Sequence, residues 1–243
     1  MDINISSERL AHILNNPSLL TMDFLELFSF LMGLIYWKKF SKTPIIWFIL
    51  FLGYNFINEM VSAFVYVTKL VDMNFVFYNI RYFICFTVYY GLYYKFLKNT
   101  TYKRATILLG AIWGIIYLSF IFNSDFLSEK PILAAVTGDF FLIVIILFYL
   151  VETINNTDLS KIQDSILIFI SVGLLVSSVI QLPVVIMTYV GWAKITDASN
   201  SFNTFFSIVR NASFWAYCVM YVIFAYGFYR AKRPQFVKNI KLG

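Results

Sequence analysis

Charge is what this chain has least of. Of its 243 residues only 13% are Asp, Glu, Lys or Arg, while 60% are hydrophobic. A soluble domain is about 25% charged and 45–50% apolar, so too little polar surface exists to cover a core in water. A bilayer is the solvent that fits such a composition. Histidine is nearly missing: the single one, His12, lies in a polar N-terminal stretch. Zinc hydrolase sites, haem and di-iron sites that need several His ligands are thereby excluded, and so is a Ser–His triad within the membrane. The two cysteines, Cys85 and Cys218, sit in separate apolar runs with no CxxC spacing, which removes a zinc knuckle and a disulfide framework. The last apolar run has Arg210 but no lysine in its middle, so a retinal Schiff base is excluded. No phosphate loop, dinucleotide fingerprint or kinase motif occurs. Residues 1–17 are polar and the first apolar run is long enough to span, so no cleaved signal peptide is expected. No cofactor is expected.

What is abundant is apolar length. Seven runs, near 19–37, 44–68, 75–96, 104–123, 132–151, 165–190 and 202–229, each approach or exceed the roughly 20 residues that a spanning helix needs at about 1.5 Å per residue. Short breaker-rich connections separate them: Ser41-Lys42-Thr43-Pro44, Asn99-Thr100-Thr101, Asn123-Ser124-Asp125, Asn155-Asn156-Thr157-Asp158 and Asp197-Ala198-Ser199-Asn200. The expected architecture is all-α: a seven-helix transmembrane bundle over 19–229, a polar extracytoplasmic tail over 1–18 and a basic cytoplasmic tail over 230–243. Phe and Tyr, 27 and 17 in number, suit many bilayer interfaces and tight helix packing. The tyrosines of Tyr89-Tyr90-Gly91-Leu92-Tyr93-Tyr94 are expected to form an aromatic belt at the cytoplasmic interface.

The net charge of +6 is a topology signal. With the N-terminus outside, the inner segments hold Lys38, Lys39, Lys42, Lys95, Lys98, Lys103, Arg104, Lys161, Arg230, Lys232, Arg233, Lys238 and Lys241. The outer ones hold Arg9, Lys69, Lys130 and Lys194. This positive-inside bias places the N-terminus outside and the C-terminus in the cytoplasm. It also assigns the positive charge to lipid headgroups rather than to nucleic acid.

Ionisable groups inside a span are costly and mark function. Here they recur: Asp23 and Glu26 in the first run; Asn55, Asn58, Glu59 and Ser62 on one helical face of the second; Asn79 and Arg81 in the third; and Asp139 in the fifth. The sixth run has Ser177, Ser178 and Gln181 before Pro183, which should kink it. The seventh has Ser207, Arg210, Asn211, Phe214, Tyr217 and Tyr221 on one face. Counted at about 1.5 Å per residue, the acids, arginines and Gln181 fall in the outer halves of their spans, roughly 3–9 Å from the bilayer centre. The inner halves are almost free of charge. The pattern predicts an outward-facing polar chamber, with Glu26, Asn55, Asn58, Glu59, Arg81, Asp139, Gln181, Arg210 and Asn211 as ligand-binding candidates. A purely structural network, in which the two arginines pair with Glu59, Asp139 and Glu26, is the alternative. Three acids against two arginines leave one carboxyl to be protonated or neutralised by a cation.

The stretches MDFLELFSFLMGLIY (Met22 to Tyr36), ILIFISVGLLVSSVIQLP (ending at Pro183) and FWAYCVMYVIFAYGFYRAK (Phe214 to Lys232) resemble a family of multi-pass bacterial membrane proteins found in Bacteroidota-type genomes. Members of that family often sit beside sensor histidine kinases. The resemblance implies a sensing role in the inner membrane with a histidine kinase or other signalling partner. A small ion-coupled transporter and an intramembrane lipid-modifying enzyme that uses carboxylates remain the other expectations. The oligomeric state is left open by the sequence.

Overall fold

A computed structural model describes residues 5–71, 74–156, 164–189 and 200–232, and among them every regular element is helical. Nine helices follow in order: α1 (Ser7–Leu14), α2 (Pro17–Ile35), α3 (Trp37–Phe40), α4 (Ile45–Val67), α5 (Phe75–Phe96), α6 (Thr100–Asn123), α7 (Ile132–Asn156), α8 (Ile166–Tyr189) and α9 (Asn200–Arg230). The chain is a helical multi-pass membrane protein: α2, α4, α6, α7, α8 and α9 are long and apolar enough to cross a bilayer. The 22-residue α5 has the length but is less apolar, because it includes Asn79, Arg81, Lys95 and several tyrosines. The expected turns at 157–158 and 197–199 lie outside the described residues, as do Lys161, Lys194, Arg233, Lys238 and Lys241.

Local sequence sets the helix ends. Pro17 stands at the first position of α2, where a missing N–H costs nothing, and the Asn16 side chain accepts from the Leu19 N–H. Asn99 does the same for α6, accepting from the N–H groups of Thr101 and Tyr102. The short α1 lies across the end of α4: the Ser6 N–H donates to the Val67 carbonyl, and the Arg9 guanidinium to that of Tyr66.

Six helices close a ring in the order α2, α4, α5, α7, α8, α9 and back to α2, while α6 packs outside it against α5 and α7. α6 buries only Thr106, Trp113 and Tyr117, one stripe at spacings of 7 and 4. Its Trp113 indole N–H donates to the Ala134 carbonyl and the Tyr117 hydroxyl to that of Asn79. Helix crossings are made at small residues, as membrane packing requires. A ring from the facing helix covers each of these glycines: Phe30 over Gly53, Phe86 over Gly138, Phe224 over Gly173 and Phe169 over Gly227. Large apolar side chains such as Phe24, Trp47, Ile115 and Phe122 stay exposed on the outside, where lipid would meet them.

The ring interior is polarised along its axis. The end marked by α3 is filled by fully buried Phe40, Phe48, Ile49, Tyr93, Ile145, Phe224 and Phe228. The end marked by α1 gathers the polar residues described next. The aromatic belt expected at Tyr89–Tyr94 is corrected here: Tyr89, Tyr90, Leu92 and Tyr93 face the core, not the lipid interface. Tyr90 donates to the Gly138 carbonyl. Tyr93 bonds Ser171 at 2.8 Å, and because the Ser171 hydroxyl is spent on the Leu167 carbonyl, Tyr93 is the donor. A buried phenol needs such a partner, and each of these finds one on a neighbouring helix.

Candidate functional site

The polar cluster is built around Arg81, one and a half turns into α5. Its guanidinium donates to Glu59 Oε1 on α4, and its Nη2 lies 4.0 Å from Glu26 Oε1 on α2. The Arg81 side chain is 20% exposed, that of Glu59 11% and that of Glu26 0%. From the other side, Tyr221 on α9 donates its hydroxyl to Glu26 Oε1 at 2.6 Å. Glu59, Arg81, Glu26 and Tyr221 thus link four helices, α4, α5, α2 and α9, in one chain of contacts. Asn55 lies beside Glu26, and Asp23 sits one turn nearer the α1 end of α2, within electrostatic reach of both Glu26 and Arg81.

Burial makes this network consequential. Removing one partner of a buried ion pair costs about 3–5 kcal/mol, because the other charge is left uncompensated. Asp23, Glu26 and Glu59 flank a single guanidinium, so the carboxyls outnumber their cation. Several oxygens nearby have no hydrogen-bond partner among the described residues: Asp23 Oδ1, Glu26 Oε2, Ser29 Oγ, Tyr54 OH and Asn55 Oδ1.

The remaining candidates divide. Asp139 on α7 accepts from the Ser178 hydroxyl of α8 at 3.3 Å, and Tyr82 and Tyr217 lie near both Asp139 and Arg81. Gln181, one turn beyond Ser178, has a buried Oε1 without a hydrogen-bond partner among the described residues. Asn58 is a structural residue: its amide donates to the Phe77 carbonyl at the start of α5. Asn79 is another, donating to the carbonyls of Phe126 and Glu129 and so pinning the turn between α6 and α7.

Arg210 and Asn211 are not brought into the cluster, and the expected pairing of Arg210 with an acid is corrected. Both are exposed. The shared face deduced from their spacing is sound as helix geometry, but Arg210 and Asn211 lie at the surface, and Lys130 is within electrostatic reach of Arg210. Among the described side chains from Phe205 to Ala212 none is buried, and the first buried one is Ser213.

Sequence reasoning missed three features. Tyr221 was placed on the polar face of α9 but not among the ligand-binding residues. Ser29 escaped notice, since a lone serine in an apolar helix has no spacing to betray it. Glu152 is the third, a buried carboxylate in the half of the bundle expected to be nearly free of charge. It accepts from the backbone N–H of Lys98 at 2.7 Å and of Asn99 at 3.2 Å, at the N-terminus of α6. A carboxylate there satisfies otherwise unpaired donors and opposes the positive end of the helix dipole.

A groove of about 640 Å³ opens on the outer surface between α6 and α7, walled by Ile115, Ile116, Phe120, Ile132 and Leu133, with Glu129 and Lys130 at its rim. It lies apart from the Arg81 cluster. Among the described residues no three His, Cys, Asp or Glu side chains converge on a metal position. Compared with protein families, with characterised proteins and with solved structures, the chain matches none.

Proposed function

We propose that this chain is a receptor-like signalling component of a bacterial inner membrane, crossing it seven times with its N-terminus outside and its C-terminus in the cytoplasm. The observation behind the functional reading is the Glu59–Arg81–Glu26–Tyr221 chain. It ties the long α9 to three other helices through groups that respond to charge, at one end of the bundle only. The other end is filled with aromatic and aliphatic side chains, which favours a binding chamber over an open path through the ring.

The lysines and arginines support the orientation. Lys38, Lys39, Lys42, Lys95, Lys98, Lys103, Arg104, Arg230 and Lys232 all belong to the α3 end, against Arg9, Lys69 and Lys130 at the α1 end. The seat of α5 between α4 and α7 in the ring supports the seventh crossing. The polar cluster then opens outward. A ligand that competes for Arg81 or Glu26 changes the hold on Tyr221 and shifts α9. At its far end α9 is attached to two elements. The Lys39 ammonium donates to the carbonyls of Phe228 and Tyr229, and Lys232 pairs with Asp164 at 2.7 Å. Movement of α9 is thereby delivered to the cytoplasmic face, where a partner reads it. The resemblance to proteins encoded beside histidine kinases makes such a kinase the first partner to seek.

Spin labels on Lys98 and Arg230, exposed at the far ends of α5 and α9, report this coupling in a C85A/C218A background. In lipid nanodiscs, Arg81→Gln and Glu26→Gln should each change the interlabel distance distribution by several ångström. An unchanged distribution in both variants, with the fold intact by circular dichroism, would reduce the cluster to a structural network.

A further inference from the structure

α2 and α4 cross with Phe30 over Gly53 and Ile49 over Gly33. In this antiparallel register Asn55 faces the stretch of α2 between Glu26 and Ser29. Glu26 and Ser29 are themselves one turn apart on one face, and Asp23 is a turn before them. Three oxygens on these facing stripes are buried without a hydrogen-bond partner among the described residues: Glu26 Oε2, Ser29 Oγ and Asn55 Oδ1. Ser29 and Glu26 are 0% exposed and Asn55 3%. An unsatisfied polar atom is expensive in a membrane interior, and these three share one crossing of two helices.

We propose that these oxygens form a binding site for a small monovalent metal cation of the sodium type. All three atoms are hard oxygen donors, the ligand type that suits hard cations rather than zinc or copper. A proton on Glu26 joins two oxygens at a time, whereas a cation is coordinated by several at once. Charge sets the valence. Arg81 neutralises Glu59, which leaves Glu26 as the one fully enclosed excess negative charge. Asp23 is only partly buried and sits at the rim, where water can solvate it. One positive charge therefore balances the interior. Bound cation and guanidinium would share Glu26, one at each oxygen, so occupancy of the site alters the attraction between Glu26 and Arg81.

This site rests on the reading of the cluster as a ligand chamber, but its binding is measured apart from any helix movement. The intact chain is melted in detergent while choline chloride is replaced by NaCl, KCl or CaCl2 at constant ionic strength and pH. A saturable rise in Tm with Na+ is expected, absent in Glu26→Gln and requiring about tenfold or more Na+ in Ser29→Ala, as loss of a ligand contact demands. An equal response to every salt means screening only and overturns the proposal. So does a rise seen with calcium alone, or one that follows pH and ignores Na+. Should Glu26→Gln fail to fold, Ser29→Ala decides: an unchanged Na+ midpoint removes the site. Binding of Na+ with no change between the Lys98 and Arg230 labels would sink the receptor reading and leave the cation site standing.

Discussion

At the scale of single residues, several buried charged groups are matched by a partner from another segment of the chain. Glu152 is the simplest case, since its carboxylate meets only backbone N–H groups. Glu152→Ala leaves those donors unsatisfied and should lower unfolding stability by about 1–3 kcal/mol. Glu152→Gln keeps one acceptor oxygen and should lose less, as denaturant or thermal unfolding in detergent will measure. Equal losses in the two variants would mean that the residue matters for packing rather than for its acceptor oxygens. The carboxylate was hidden from the sequence by a boundary: an apolar run ending at residue 151 leaves it as the first loop residue, while α7 continues to Asn156. The Glu59–Arg81 pair was visible because charges inside apolar runs are conspicuous. Asn58 and Asn79 were equally conspicuous, and nothing in their spacing says that backbone carbonyls already hold them.

Among whole helices, the apolar runs were legible, α5 over Phe75–Phe96 to the residue and α7 short of its end by five residues, because an apolar run in a bilayer must satisfy its backbone internally, as a helix. Which face of each helix turns inward was not. In a chain apolar all round, hydrophobic periodicity no longer separates core from lipid, and so the tyrosines of α5 were read as an interfacial belt. The glycines locate the inner faces. A methyl on Gly138 would lie 2.5 Å from the Phe86 ring, whereas one on Gly114 meets nothing within 4 Å. Gly138→Ala should therefore destabilise by about 1–3 kcal/mol through overpacking of α5 against α7. Gly114→Ala should be neutral or stabilising by up to about 1 kcal/mol, the ordinary helix-propensity gain. Matching losses at both positions would contradict the packing of α6 outside the ring.

For the whole molecule, orientation decides what the polar cluster can meet. A green fluorescent protein fused at the C-terminus should fold and fluoresce, and an alkaline phosphatase fused there should stay inactive. The reverse result would turn the chamber toward the cytoplasm and make its ligand an intracellular one. The charge bias that predicts this orientation is spread over several loops. It could not give the ring. That the first and last long helices are neighbours, with α6 left outside, depends on side-chain shape across non-consecutive helices.

Ring closure between α2 and α9 also sets a timetable for biogenesis. Glu26 and Tyr221 are 195 residues apart, and at roughly 5–20 residues per second the ribosome needs about 10–40 s to deliver the second after the first. Through that interval α2 is in the membrane with its carboxyl short of a partner, and even Arg81 arrives only with the third long helix. The nascent chain is thus a client for whatever insertase or chaperone shelters polar helices in the bilayer, and it is released from that care only when the last helix arrives.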